Sequence, residues 1–229
     1  MLHFVCKPEN SDRSESKMKK IVVAGIICVD LTPADRVKNL GDLLIPGKLI
    51  QMNGISIAVG GAVGNTGLAL KVLGADVSLI GKAGTDELGT LLADLLRQYG
   101  AADHLIRDEK SVTGYTFVLA VPGIDRVFLH APGANDTFCY DDIDFSEVAG
   151  ASIFHLGYPP VMRRMYEDNG KELVRVLRKV HDMGVAVSLD MSAVDPATDA
   201  AKADWAGIIR DVLPYVDFFV PSVEEVCYM

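Results

Sequence analysis

Apolar positions along this chain follow two alternating patterns. Residues 21–29, Ile-Val-Val-Ala-Gly-Ile-Ile-Cys-Val, form a short, near-continuous apolar run rich in β-branched side chains. Such a run predicts a strand buried on both faces, as in a parallel sheet. Runs of the same kind cover residues 77–80, 152–156, 185–189 and 216–220. Between them the apolar residues take helical spacing. Leu88, Leu91, Leu92, Leu95 and Leu96 make an i, i+3, i+4, i+7, i+8 stripe, with Asp86 placed to cap it and Gly100 to end it. Leu173, Val176, Leu177 and Val180 repeat the stripe ahead of Gly184. Strand and amphipathic helix in alternation predict an α/β fold on a mostly parallel sheet.

Two segments interrupt the alternation. Residues 45–59 carry scattered apolar stretches around Pro46-Gly47. Residues 112–130 read as a hairpin, with strands at 116–121 and 126–130 and a turn at Pro122-Gly123-Ile124-Asp125. These strands are predicted to form a small second sheet projecting from the main one, a lid made of segments near 40–59 and 112–131.

Composition narrows the picture. The chain has 229 residues, 49% apolar and 23% charged, enough for one large domain with a substantial core. No apolar run reaches the ~18 residues of a membrane span. The opening residues are polar and lack the apolar stretch of a secretory signal. Met18 is followed by Lys19-Lys20 and the first strand, so residues 1–17 read as a disordered extension or a misassigned start, and 18–229 as the domain. A net charge of −9, from 22 basic and 31 acidic side chains, argues against non-specific nucleic-acid binding. An acidic protein can still hold a phosphate-bearing ligand through backbone N–H groups and a metal ion. Cys6, Cys28, Cys139 and Cys227 are scattered, with no C-x-x-C pair, which fits reduced thiols in a cytoplasmic protein.

In parallel α/β sheets, ligands bind beyond the C-terminal ends of the strands. Asp30 follows the first apolar run and is expected at such an end, as a ligand-facing carboxylate or as a turn residue and helix cap. Gly60-Gly61 lies between a possible strand and a helix at 68–73, where paired glycines permit close backbone approach or a tight turn. Asn65, in the first helical turn, offers an amide that both donates and accepts, or a cap.

The combination is more specific than its parts. From Gly60 the chain reads Gly-Gly-x-x-x-Asn, then Leu73-Gly74-Ala75-Asp76-Val77, then Leu79-Ile80-Gly81-Lys82-Ala83-Gly84-Thr85-Asp86-Glu87-Leu88-Gly89. This closely resembles the N-terminal signature of the ribokinase-like (PfkB-type) carbohydrate kinases, with small departures at Val63 and Gly67. Asp30, the predicted lid hairpin and Pro132-Gly133-Ala134-Asn135 extend the resemblance along most of the chain. It implies a three-layer α/β/α sandwich with a small β-sheet lid, and ATP-dependent phosphorylation of a hydroxymethyl group on a sugar or nucleoside, with Mg2+. It further implies that Asp30, Gly60, Gly61 and Asn65 bind sugar hydroxyls, and that the lid closes over the sugar and pairs with a second subunit.

On the nucleotide side the resemblance implies an Asn-x-x-Glu motif. Ser222-Val223-Glu224-Glu225 offers Glu225 in the glutamate position with Ser222 in place of asparagine; an N-cap and its capping-box partner fit the same residues. Asp190, ending another strand, matches a polar residue near the phosphates or metal, or is a turn residue. Some family members place a sugar-binding acid after the strand at 152–156, where this chain has Gly157 followed by Tyr158-Pro159-Pro160. The family's catalytic Gly-Ala-Gly-Asp, whose aspartate is the base, does not occur in these residues, and Gly133-Ala134-Asn135-Asp136 matches a different element. The chain therefore reads as the sugar half of a longer kinase, with the base aspartate expected beyond residue 229. A non-catalytic sugar-binding or dimerisation module is the competing reading. A dinucleotide-binding oxidoreductase is set aside, because no Gly-x-Gly-x-x-Gly turn follows the first strand.

Overall fold

The computed structural model describes residues 19–34, 41, 43 and 45–229. The expected disordered extension at 1–17 lies outside them, as do residues 40, 42 and 44 of the first lid segment. In chain order the elements open with β1 (Ile21–Gly25), β2 (Cys28–Ala34) and β3 (Gly54–Gly60). A π-helical turn at Val63–Leu68 runs into α1 (Ala69–Val72), followed by β4 (Val77–Gly84), α2 (Glu87–Gln98) and β5 (Leu105–Asp108). The hairpin β6 (Tyr115–Leu119) and β7 (Val127–Ala131) comes next, then α3 (Phe145–Val148), β8 (Ile153–Gly157) and α4 (Arg163–Asp182). The chain closes with β9 (Ala186–Asp190), α5 (Trp205–Val212), β10 (Phe218–Phe219) and α6 (Val223–Tyr228).

Six strands form a parallel sheet in the order β10-β9-β8-β1-β4-β5. One face packs on α4 and α5 through Phe154, Leu156, Leu173, Leu177, Trp205 and Ile208; the other packs on α1 and α2 through Val23, Leu79, Leu92 and Leu96. This is the expected three-layer arrangement. The leucine stripe of α2 is capped as predicted, Asp86 accepting a hydrogen bond from the Gly89 N–H at 3.0 Å. The run at 216–220 shrinks to the two-residue edge strand β10. Helix α4 is interrupted from Glu167 to Gly170, so the predicted apolar stripe occupies its continuous second part.

The second sheet has the order β3-β2-β6-β7 and contains the predicted hairpin, Thr116 opposite His130. It also contains β2, and here the sequence reading needs correction. The run at 21–29 is not one strand: it breaks after Gly25, and Asp30 sits inside the small sheet rather than at the end of a main-sheet strand. Gly25 has φ +124, and a Cβ on it would lie 2.6 Å from the Gly157 carbonyl oxygen, so only glycine makes this bend beside β8. Hydropathy conceals the break because Ile26 packs into one core layer and Ile27 into the other.

A bend in a buried strand leaves backbone groups to be satisfied. Asn135, itself fully buried, does this for Ile27: its Oδ1 accepts from the Ile27 N–H and its Nδ2 donates to the Ile27 carbonyl, both at 2.9 Å. Its Nδ2 also donates to the Pro132 carbonyl at 2.7 Å, tying in the return from the hairpin. Asn135→Ala strands both Ile27 groups without water, and we expect a loss of about 2–5 kcal/mol. Urea unfolding against the unsubstituted chain measures it.

Candidate functional site at the strand ends and the second sheet

Alternation along β2 puts Cys28, Asp30 and Thr32 on one face of the small sheet. Asp30 lies opposite Ala58 of β3 and Thr116 of β6, and Thr116 opposite His130 of β7. A polar row results. The Cys28 thiol donates to Asp30 Oδ1 at 3.3 Å and sits 3.5 Å from the Thr116 hydroxyl, which is 3.0 Å from His130 Nδ1. Burial, reinforced by the Asp30 charge, pushes the Cys28 thiol far up, so it stays a protonated donor. Burial pulls His130 down, against the opposing charges of Asp30 and Asp136, and favours the neutral ring.

Gly60 makes room for the carboxylate. A Cβ there would stand 2.1 Å from Asp30 Oδ1. Gly61 turns the chain with φ +76, and its own Cβ would strike the Ile26 carbonyl oxygen at 2.4 Å. The π-helical turn that follows presents Asn65 to solvent. Such turns often mark functional sites.

At the carboxyl edge of the main sheet, Gly157 of β8 is in register with Gly25 of β1 and Asp190 of β9. Tyr158, the first residue beyond β8, donates its N–H to the Asp190 carbonyl at 3.1 Å. Its half-buried phenol is pushed up by burial, eased by a polar contact with the Asn65 side chain, and raised again by the charges of Asp190, Glu225 and Asp30. Three carboxylates, Asp30, Asp190 and Glu225, thus act through their charge on one tyrosine. Burial raises Asp190 to about 6, with Glu225 adding to it and the Met191 N–H opposing it. Ser222 and Glu225 form the capping box of α6: the Ser222 N–H donates to Glu225 Oε2 at 2.7 Å and the Glu225 N–H to Ser222 Oγ at 3.2 Å. Among the described residues no three His, Cys, Asp or Glu side chains converge as a metal cluster.

Gly133-Ala134-Asn135-Asp136 is no open cradle of N–H groups. Ala134 N–H donates to the Val112 carbonyl and Asn135 N–H to that of Pro132, at 2.8 and 3.2 Å. From the sequence, none of Cys28, Thr116, His130 and Tyr158 was singled out as a site residue. The first three were accessible in principle, from period-2 alternation along residues 28–32 once the break after Gly25 is known. Tyr158 carries no local signal, since its place depends on three parallel strands ending together.

A parallel sheet with helices on both faces, a small sheet over its carboxyl edge and a Gly-Gly-x-x-x-Asn turn between the two define a sugar-kinase class of architecture. The sequence profile described as pfkB family carbohydrate kinase matches residues 18–227, and this chain belongs to that family. Fructokinase-2 of Oryza sativa subsp. japonica is 28% identical over 187 residues, covering 79% of this chain and 54% of the relative. An uncharacterized sugar kinase of Archaeoglobus fulgidus is 28% identical over 160 residues, covering 69% of this chain and 59% of the relative. The chain thus spans little more than half the length of these relatives. A fructokinase from Xylella fastidiosa with bound ATP superposes with TM-score 0.68 at 22% identity, over 92% of this chain and 60% of that one. Ribokinase from Giardia lamblia gives 0.69 at 19% identity, over 90% and 59%. Both likenesses carry the fold.

The raised Asp190 makes a stability prediction. Its folded pKa, about 6, lies above the ordinary 3.8, so the folded state holds this proton longer. That contribution is complete below the ordinary value and is lost as pH rises through the folded one. Asp190→Asn keeps an acceptor for the Met191 N–H and removes the titration. We expect its urea midpoint to match the parent at acid pH and to exceed it at pH 7; equal midpoints across the range would count against the assignment.

Proposed function

We propose that this chain is the sugar-recognition part of an ATP-dependent carbohydrate kinase whose complete form phosphorylates a hydroxymethyl group of a sugar or nucleoside. The observation that carries this reading is the Asp30 carboxylate lodged against Gly60, in a member of this family. An ionised carboxylate accepts two hydroxyl protons, and the Asn65 amide donates to one oxygen while accepting from another. Gly60, lacking a side chain, lets the Asp30 carboxylate lie against β3, and Gly61 makes the tight turn beside Ile26. The small sheet acts as a lid that excludes water, which would compete with the sugar hydroxyl for the phosphoryl group.

ATP occupies the side of Asp190, Ser222 and Glu225. Mg2+ keeps most of its waters and is commonly held by one or two carboxylates together with substrate phosphates, a role this pair fits. Phosphoryl transfer depends on positioning and charge stabilisation around the transferring group. No Gly-Ala-Gly-Asp occurs in the 229 residues, and we assign to this chain sugar binding without transfer. The binding-module reading shares that outcome, and ADP release by this chain would exclude it.

Ile57, Leu31, Phe117 and Leu129 stand in one register row on the face of the lid opposite Asp30 and Thr116, and Ile57, Phe117 and Leu129 are exposed by 36–55%. Such a row suits a second copy, paired lid to lid. Sedimentation equilibrium should give twice the 24.7 kDa chain mass, and Phe117→Asp should return it to one.

The sugar site is tested by calorimetry with D-fructose, D-ribose and adenosine, alongside an ADP-release assay with ATP and Mg2+. One of the three should bind. Asp30→Asn and Gly60→Ala should each weaken it roughly 10- to 100-fold, the worth of charge-assisted hydrogen bonds, while the chain stays folded. No binding by any of the three, or full affinity in both variants, contradicts the reading.

A further inference from the structure

An asparagine followed by glycine is a labile pair, because glycine has no Cβ to obstruct the approach of its nitrogen to the asparagine Cγ. The sequence holds two such pairs, Asn53-Gly54 and Asn169-Gly170. Reaction requires the peptide between the two residues to rotate until the glycine nitrogen faces Cγ. The fold therefore decides which pair reaches that geometry, and it places the two in opposite settings.

Asn169-Gly170 is locked. It lies in the interruption of α4, where Asp168, Asn169 and Gly170 take successive left-handed conformations with φ 51, 57 and 70. Gly170 is packed so closely on α5 that a Cβ there would stand 2.8 Å from Ile208 Cγ2, and Ile208 is itself buried. Turning this peptide would drive the chain into the α4–α5 contact, and a close-packed interior resists that. Asn53-Gly54 sits instead at the outer end of the lid. Both residues are exposed, and a Cβ on Gly54 would meet no atom within 4 Å. Gly54 opens the edge strand β3, opposite Ala34 at the end of β2, and the Asn53 N–H donates to the Ala34 carbonyl at 3.0 Å. The terminal pair of an edge strand opens at little cost in free energy.

We propose that Asn53 is a site of spontaneous deamidation in the folded chain, and that the fold protects Asn169. The Gly54 nitrogen loses its proton and bonds to Asn53 Cγ; the Cγ–Nδ2 bond breaks, and the amide nitrogen leaves with that proton as ammonia. Water then opens the cyclic imide. Opening at the Cγ carbonyl leaves aspartate, and opening at the backbone carbonyl leaves isoaspartate, whose chain runs through Cβ and Cγ. Either product places a new negative charge at the start of β3, and isoaspartate also lengthens the backbone there. The modification therefore falls on the lid edge, in the strand that sets Ala58 opposite Asp30.

Incubation of the folded chain in mildly alkaline buffer tests it, alongside the same chain unfolded in urea. Peptide mapping by mass spectrometry follows each asparagine, and labelling by an isoaspartyl methyltransferase reports isoaspartate. In the folded chain Asn53 should convert roughly tenfold or more faster than Asn169, the difference between a strand end that frays and a turn held by core packing. In urea the two should convert at similar rates, because neither then has a fold around it. Asn53→Gln should remove the methyl label from that peptide, since glutamine must close a larger ring and does so far more slowly. Equal rates at the two sites in the folded chain, faster conversion at Asn169, or an Asn53 that reacts only in urea overturns the proposal. So does the same tenfold difference in urea, which would trace the preference to flanking sequence rather than to the fold.

Discussion

One amide side chain holds the two sheets in relation to each other. Where the first strand bends at Gly25, Ile27 leaves the parallel sheet with its N–H and carbonyl in a dry interior, and Asn135 answers both. The same amide reaches the Pro132 carbonyl, so the outgoing strand and the returning hairpin are fixed at one point. Burying an unpaired backbone group costs as much as a lost hydrogen bond or more. The bend is therefore tolerable only with this partner, and everything downstream, from β2 to the lid face carrying Asp30, is positioned by it.

From that point the site follows from space and charge. Asp30 can lie over β3 because Gly60 has no side chain, and Cys28 can donate to it because burial keeps the thiol protonated. The lid face beyond is polar, with Thr116 and His130, whereas the opposite face carries Leu31, Ile57, Phe117 and Leu129. Asp30, Asp190 and Glu225 each raise the Tyr158 phenol through their charge, on top of its burial.

Much of the fold was legible because it rests on period. Buried parallel strands and leucine-striped helices leave strong signatures, and the hairpin at 116–130 announced itself by Pro122-Gly123. The break at Gly25 did not, since Ile26 and Ile27 face opposite cores and keep the run apolar across the bend. That misplaced Asp30 by one sheet; its grouping with Gly60 and Asn65 came only from what the family resemblance implies. The capping box at Ser222 and Glu225 was equally readable as local chemistry. Tyr158 was not, because its position comes from the register of β8 between β1 and β9 and from a left-handed backbone that no residue pattern specifies.

The central claim is that a sugar lodges between Asp30, Gly60 and Asn65 on the lid side of the bend. Amide chemical-shift mapping of the labelled chain during titration with D-fructose or D-ribose addresses it most directly. The account predicts saturable shifts at Cys28 to Thr32, at Gly60, Gly61 and Asn65, and at Tyr158. Shifts confined to other surfaces, or none at saturating sugar, would contradict it.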